Sequence, residues 1–352
     1  MLNALSVTNY KCLRNIKPLG LERFTVFVGA NGSGKSSILK AIDFLCQSFR
    51  STQQTEQNLD SELFKVASRG STEPVELVAE SNQKMYRYRT RPPNAPAVQP
   101  ARIDGNPAAS GRGEAVATKL PLEWKAWALA TSGSLPLPNS TILRLDTAKL
   151  ASPNHPNLNQ PVMSQDGTGL HAALAAMALN DPDSWIKLQA KLHRMIPTIR
   201  RVRHKPQVQQ PTLLFDTVGG DDLPADQVSE GTLLILGLLA AMQLPARAEL
   251  VLLDDLDRGL HPKAQKDLVS LLRELLAAQP NLQIISTTHS PYLLDCLAPQ
   301  EVRITVMGDD GATVAAPLME HPKFQKWKDE MTPGEMWSMF GEKWITEKRV
   351  VE

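Results

Sequence analysis

Two kinds of hydrophobic pattern alternate along the chain, and together they predict an α/β fold. Continuous apolar runs bounded by polar residues predict buried strands at 24–28, 250–253 and 282–289. Apolar residues three and four positions apart predict helices over 37–45, 170–179, 185–196 and 233–243. Less regular segments predict strands over 2–8, 75–89, 141–145 and 212–218, and a closing hairpin over 302–318. Residues 9–16 are expected to form a turn from the strand at 2–8 into a second strand. Because these two antiparallel strands precede the strand at 24–28, we expect a mixed sheet.

A phosphate-binding loop is predicted between the first buried strand and the first helix. Residues 29–36 fit the pattern G-x-x-x-x-G-K-[ST], although a glycine-rich turn that only caps the helix is the alternative. Glycines let backbone N–H groups approach phosphate oxygens, and the helix N-terminus adds positive potential. We expect Lys35 to reach the β- and γ-phosphates of ATP, Ser36 to bind Mg²⁺ and Ser37 to support the first turn. The remaining loop residues expected at the nucleotide are Asn31, Gly32, Ser33 and Gly34.

Candidate catalytic side chains follow two of the apolar strands. The run at 250–253 ends in Asp254 and Asp255, and the run at 282–288 is followed by His289. Because nucleotides bind at the carboxyl ends of parallel strands, we expect all three side chains near the loop. Asp254 is the candidate Mg²⁺ ligand, directly or through water, Asp255 would polarise the attacking water, and His289 would sense the γ-phosphate. The alternatives are two acids that cap the next turn and a structural histidine.

A third candidate segment opens the apolar helix at 233–243. It reads Ser229-Glu230-Gly231-Thr232, and Ser229 is a suitable N-cap residue. Gly231 keeps the backbone open, so the helix end would present N–H groups outward. A helix cap alone would explain the same residues, but their position between the loop and the paired acids favours a role at the nucleotide.

Five segments in this order resemble the ABC-type ATPases of the RecF and OLD kind. They are residues 9–11, 29–36, 229–232, 252–262 and 286–291. The resemblance spans residues 2 to about 297, apart from a variable insertion, and implies a P-loop NTPase with a mixed sheet lobe and a helical lobe. It also implies a homodimer in which Ser229, Glu230 and Gly231 of one protomer close on ATP held by the other. Lys11 would contact the same nucleotide.

The resemblance also assigns roles around the acids. This family usually has a glutamate where the chain has Asp255, whose carboxylate is one methylene shorter, so we expect slow or partner-stimulated hydrolysis. Asp257 would belong to the interface loop. Gln165, which precedes an Asp-Gly pair, is the candidate for the Mg²⁺-sensing glutamine, and an ordinary turn is the alternative there.

Composition restricts the partners. The 38 basic and 37 acidic side chains give a net charge of +1, so no global field attracts nucleic acid or an anionic membrane. Three scattered cysteines and an amino terminus without a signal-peptide pattern indicate a cytoplasmic protein. A basic cluster between Arg194 and Lys205 is interpreted as a solvated strand edge in preference to a phosphate-contacting patch.

We divide the chain into five segments. They are a nucleotide-binding lobe (1–90), a Pro- and Ala-rich insertion (91–140), a strand with a helical lobe (141–228), the remainder of the ATPase core (229–318) and a Trp- and Met-rich extension (319–352). A short helix is expected within the insertion at 122–130. The extension either packs back on the core or forms a protein-docking surface.

The sequence favours a dimeric ATPase switch that regulates a separately encoded effector. By analogy with compact ATPases of this family, the effector would be a nuclease in bacterial anti-phage defence, docked on the extension. The alternatives are a RecF-like DNA-binding ATPase in repair and, with least support, the ATPase subunit of a transporter.

Overall fold

The computed structural model describes residues 1–48, 75–81, 84–89, 137–153, 163–205, 212–243 and 249–346. Within these ranges no helix is long and apolar enough to cross a membrane. The predictions of a polar loop at 48–60 and of a short helix at 122–130 fall almost wholly outside the described residues.

Strands and helices alternate as the hydrophobic pattern predicts. The described strands are β1 (Leu2–Tyr10), β2 (Leu13–Gly20), β3 (Phe24–Val28), β4 (Glu76–Ser81), β5 (Lys84–Arg89), β6 (Ser140–Leu143), β7 (Ile199–Lys205), β8 (Thr212–Thr217), β9 (Gly220–Pro224), β10 (Leu250–Leu253), β11 (Gln283–Thr288), β12 (Val302–Met307) and β13 (Thr313–Pro317). The described α-helices are α1 (Lys35–Ser48), α2 (Thr147–Ala151), α3 (Leu170–Asn180), α4 (Pro182–Met195), α5 (Glu230–Gln243), α6 (Pro262–Ala278), α7 (Pro291–Leu294), α8 (Phe324–Trp327) and α9 (Pro333–Phe340).

A six-stranded sheet forms the centre of the molecule. Its strand order is β13-β12-β3-β11-β10-β6, and all neighbouring pairs are parallel except β12 and β13. Every residue of β3, β10 and β11 is buried, because both faces of the sheet are covered. The carboxyl ends of β3, β6, β10 and β11 therefore meet at one edge, where their following loops carry the candidate chemistry.

The two faces of this sheet contact different layers. One face, with Phe27, Leu252 and Ile285, packs on α1 and on an antiparallel sheet of order β2-β1-β4-β5. The other face, with Val26, Leu253 and Ile284, packs on the helices α3 to α6. This arrangement confirms the predicted fold class, in which a mixed sheet lobe and a helical lobe enclose the parallel strands.

The basic cluster lies on the edge of a third, antiparallel sheet of order β7-β8-β9. Arg201 and Arg203 on β7 both pair with the buried Asp216 on β8, which lowers the pKa of that carboxyl and raises the pKa of Arg203. Arg194 pairs with Glu274 on α6 at 2.8 Å. The interpretation as a charged strand edge is confirmed for β7.

The carboxy-terminal extension packs back on the core. Phe324, Met336 and Trp344 are buried in the same cluster as the helical lobe. His321 stacks on Phe340 with ring centroids 4.8 Å apart and meets the edge of Trp344 at 5.0 Å. The N-terminus of α9 is fixed on α7 through Asp295, which accepts hydrogen bonds from Thr332 Oγ1 and Gly334 N, so the extension is attached directly to the element that follows His289.

Candidate nucleotide site

The loop at 29–36 lies tightly against the β12–β13 hairpin. A Cβ on Gly29 would lie 2.1 Å from the carbonyl oxygen of Thr305, and one on Gly34, whose φ is +96°, would lie 2.2 Å from Thr313 Oγ1. Ser33 Oγ and Thr305 Oγ1 are 2.8 Å apart in a buried hydrogen bond. Glycine is therefore required at both positions for steric reasons, and the loop tip at 31–32 stays exposed.

The Lys35 ammonium lies inside the loop. Nζ donates to the carbonyl oxygens of Gly29 at 2.8 Å and Ala30 at 2.9 Å, and the residue is 5% exposed. Burial lowers the pKa of Lys35, whereas nearby carboxylates, chiefly those of Asp255 and Asp254, oppose that shift. The buried cation would be neutralised by phosphate oxygens, as a phosphate-binding lysine requires.

A hydrogen-bonded triad joins the loop to the ends of β10 and β11. Asp254 Oδ1 accepts from Ser36 Oγ at 2.9 Å and from Thr287 Oγ1 at 2.8 Å. Its second oxygen, Oδ2, is buried and has no hydrogen bond within the described structure. The described residues hold no group of three or more metal-ligating side chains, and Mg²⁺ bound through phosphates needs only one or two carboxylates. The free oxygen and the serine hydroxyl therefore fit hydrated Mg²⁺, which Ser36 and Asp254 would hold.

Asp255 and His289 face each other at the same edge. The Asp255 carboxylate lies 3.8 Å from His289 Nε2, and each side chain is 34% exposed. Asp255 has a left-handed φ of 56°, which costs about 1–3 kcal/mol and is maintained here because its N–H donates to Thr287 Oγ1 at 2.8 Å. Asp257 Oδ1 accepts from Thr288 Oγ1 at 2.7 Å and from the His289 N–H at 3.1 Å. Asp257 thus fixes the backbone of the histidine.

The segment 229–232 forms the exposed N-terminus of α5. Ser229 Oγ lies 2.8 Å from Thr232 Oγ1 and accepts from the Thr232 N–H at 3.3 Å, so Ser229 acts as the predicted N-cap. Gly231 packs on Gly259, because a Cβ there would lie 3.1 Å from the Gly259 carbonyl oxygen. Among the described residues, no hydrogen bond or ion pair joins Ser229, Glu230 or Gly231 to the phosphate loop. The structure therefore does not bring these two motifs together through direct bonds in one chain.

Lys11 and Gln165 border the site without touching its centre. Lys11 has a φ of 54° and places its ammonium 5.5 Å from the Tyr10 ring centroid, while the adjacent Cys12 Sγ donates to Ser37 Oγ at 3.6 Å. Gln165 lies in a turn closed by the Gly167 N–H to Ser164 carbonyl bond, at 3.0 Å, so an ordinary turn is present there. Its side chain is exposed, and its carbonyl oxygen accepts from the Arg144 N–H at 2.9 Å.

Two side chains that the sequence patterns did not indicate also reach the site. Arg144, directly after β6, places Nε 3.7 Å from Asp254 Oδ2. Glu342, in the carboxy-terminal extension, accepts from Trp337 Nε1 at 3.2 Å and lies near enough to Lys35 to raise its pKa. Arg144 lies within the strand predicted at 141–145, and no local pattern there marks it as a site residue. Nothing local in the sequence indicates Glu342, because it follows Lys35 by 307 residues.

Family models match both halves of the chain. Residues 96–295 match the family described as "AAA domain, putative AbiEii toxin, Type IV TA system", and residues 1–89 match the family described as "AAA ATPase domain". Septu protein PtuA of Bacillus thuringiensis is 36% identical over 83 residues, which is 23% of this chain and 20% of that protein. The similarity to PtuA therefore spans about a fifth of the relative.

Solved structures share the fold at low sequence identity. An SMC head bound to the C-winged helix domain of ScpA is 18% identical, with 90% of this chain and 96% of that chain covered and a TM-score of 0.55. An SMC head with an extended coiled coil, bound to the C-terminal domain of ScpA from Pyrococcus furiosus, is 16% identical, with 94% and 99% covered and a TM-score of 0.53. The chain has the α/β P-loop fold of the SMC head domains, and it belongs to the AAA ATPases.

Proposed function

We propose that this ATPase is a dimeric switch whose ATP-bound closure regulates a separate effector protein. The observation that carries the proposal is the division of the site. Lys35, Ser36 and Asp254 form one connected half, whereas the exposed cap at Ser229 has no bond to that half. A second copy of the chain would supply the missing cap in trans, in a head-to-tail pair.

The chemistry of the exposed cap supports this arrangement. The N-terminus of α5 has exposed residues at 229 and 230, and a helix N-terminus attracts anions through its free N–H groups and dipole. The γ-phosphate of ATP held by the partner subunit would satisfy these groups, whereas ADP lacks that phosphate. Closure of the dimer would therefore depend on the triphosphate.

Hydrolysis would use Asp255 and His289. The carboxylate of Asp255 would accept a proton from the attacking water, while His289, 3.8 Å away, would contact the γ-phosphate. Bound Mg²⁺ would neutralise charge on the transferring phosphoryl group. Because an aspartate reaches one methylene less far than a glutamate and is held here by a left-handed backbone, we propose that turnover is slow until closure or a partner aligns the water.

The carboxy-terminal extension supports the effector part of the proposal. Its helix α9 packs on α7, which begins two residues after His289, so a movement at the histidine would reach the extension. Large apolar side chains are exposed on this surface, namely Tyr292 of α7 at 58%, Met339 of α9 at 65% and Met319, in the turn that precedes α8, at 46%. We propose that this surface docks a separately encoded nuclease in anti-phage defence, a role supported by the partial similarity to PtuA.

The basic cluster gives little support to the DNA-repair alternative. Arg201 and Arg203 pair with Asp216, Arg203 also pairs with Asp222, and Arg194 pairs with Glu274, so three of the four arginines in the cluster are already engaged in ion pairs. Salt-dependent retention of DNA by the protein alone would favour that alternative.

Light scattering with nucleotide tests the switch. We expect Asp255→Ala to accumulate as an ATP-bound dimer, because phosphate binding survives while hydrolysis stops. Lys35→Ala should remain monomeric under the same conditions, since it cannot hold the phosphates. A dimer population that is equal with ATP, ADP and no nucleotide would contradict the proposal.

A further inference from the structure

Arg144 is fixed beside the metal-binding aspartate by backbone bonds on two sides. In the parallel pairing of β6 with β10, Leu143 aligns with Leu253, so Arg144 lies beside Asp254 in register. The Asp254 N–H donates to the Leu143 carbonyl at 3.0 Å, and the Arg144 N–H donates to the Gln165 carbonyl at 2.9 Å. The position of this arginine is therefore set by the sheet, although its side chain is 60% exposed.

The side chain makes a loose ion pair at this position. Its Nε lies 3.7 Å from Asp254 Oδ2, which is too far for a hydrogen bond, and that oxygen is buried and otherwise unpaired in the described structure. Because Ser36 and Thr287 already donate to Oδ1, Oδ2 is the oxygen left for hydrated Mg²⁺. A hydrated Mg²⁺ ion and the guanidinium would therefore compete for it, and the long arginine side chain is free to turn elsewhere.

A small cavity lies beside the guanidinium. Arg144, Asp254, Asp255 and Arg258 contribute to its lining, together with Leu234 and Leu238 of α5. The arginine and the two acids proposed to act on the nucleotide therefore line one cavity. A guanidinium binds phosphate oxygens with two parallel hydrogen bonds and stays charged at physiological pH.

We propose that Arg144 is a specificity-determining residue that distinguishes ATP from ADP. When Mg²⁺ takes Asp254 Oδ2, the guanidinium turns to the γ-phosphate and adds a contact that ADP cannot make. This inference rests on the nucleotide site of the proposed function, but it concerns one chain only and does not require the dimer.

The test compares the binding of fluorescent ATP and ADP analogues to the full chain in the presence of Mg²⁺. Arg144→Gln should weaken ATP binding by about tenfold to a hundredfold, the range of a hydrogen bond to a charged group, and change ADP binding less than about twofold. Arg144→Lys should recover part of the ATP affinity, because it keeps the charge without the paired donors. Arg200→Gln, an exposed arginine on β7, is the matched control and should bind both nucleotides as the unaltered protein does.

Equal weakening of ATP and ADP by Arg144→Gln would overturn the proposal, because it would show a purely structural role. Unchanged affinity for both nucleotides would also overturn it. Repeating the titration in a Ser229→Arg background, where closure is blocked, separates the two ideas. If the preference for ATP over ADP persists in the Ser229→Arg background, it supports the role of Arg144 even if the dimeric switch fails. If that preference is lost in this background, it depends on the dimer interface, and the role of Arg144 is overturned.

Discussion

Thr287→Val probes the hydrogen bonds that hold Asp254 and Asp255, the two candidate site acids. Thr287 is fully buried, and its Oγ1 donates to Asp254 Oδ1 and accepts from the Asp255 N–H, both at 2.8 Å. Valine keeps the shape of the side chain but removes the hydrogen bond to the Asp254 carboxylate, which contributes about 1.5–3 kcal/mol. It also leaves the partly buried N–H of Asp255 unpaired, which costs about 1 kcal/mol or more. We therefore expect a loss of roughly 2–4 kcal/mol in the free energy of unfolding.

Turnover should fall as well. Without this anchor the left-handed backbone of Asp255 is no longer fixed, and a carboxylate displaced by about 1 Å can slow the reaction by about tenfold to a hundredfold. The assay combines urea unfolding with phosphate release at saturating ATP and Mg²⁺.

Thr25→Val is the matched control. Thr25 is equally buried in the neighbouring strand β3, and its hydroxyl bonds with the backbone N–H and carbonyl of Glu22 at 2.8 and 3.1 Å, away from the acids. It should lose stability but keep its rate per folded molecule. A Thr287→Val protein with unchanged stability and unchanged turnover would refute the proposed role of these hydrogen bonds. An equal loss of turnover in Thr287→Val and Thr25→Val would refute it as well.

Further substitutions address the loop and the extension. Glu342→Gln should tighten ATP binding a few-fold at low salt, because it removes a negative charge near Lys35. Glu330→Gln, at an exposed position of the same extension, is the control and should leave ATP binding unchanged. An effect of Glu342→Gln that is equal at high and low salt would contradict this electrostatic explanation. Gly34→Ala should abolish detectable ATP binding in a fluorescence titration, since its Cβ would clash with Thr313, and near-normal affinity would show that the loop tolerates a side chain. Met339→Asp, a change at an exposed side chain of the extension, should release a co-expressed nuclease in pull-downs, and retention of the complex would place docking elsewhere.

The central strands and the phosphate loop follow closely from the sequence. β3 and β10 begin and end where the apolar runs do, because strands covered on both faces need continuous hydrophobic side chains. The helix α1 begins at Lys35, two residues before the first residue predicted, because its first turn is polar and serves the loop. Strand β9 was missed because Gly220–Pro224 is mostly polar and gains its pairing from β8.

The contributions of distant residues could not be predicted. Asp254, Asp255 and His289 come together as expected, since the ends of parallel strands share one edge. The local Asp-Gly pattern indicates Gln165, whereas the side chain next to Asp254 is Arg144, which only the register of β6 on β10 reveals. Glu342 depends on how the extension folds back, a property of tertiary packing that no local pattern carries.

Mixing two inactive variants tests the composite site most directly. Lys35→Ala keeps the Ser229 cap, and Ser229→Arg keeps the phosphate loop, so neither variant can complete a site with itself. A mixture allows heterodimers in which one of the two sites is intact. Because only these heterodimers can close, turnover should recover to as much as about half of the value for the unaltered protein, one working site in two. Recovery to that level would support completion in trans. Full activity of Ser229→Arg alone, or no recovery when the two variants demonstrably form heterodimers, would contradict it.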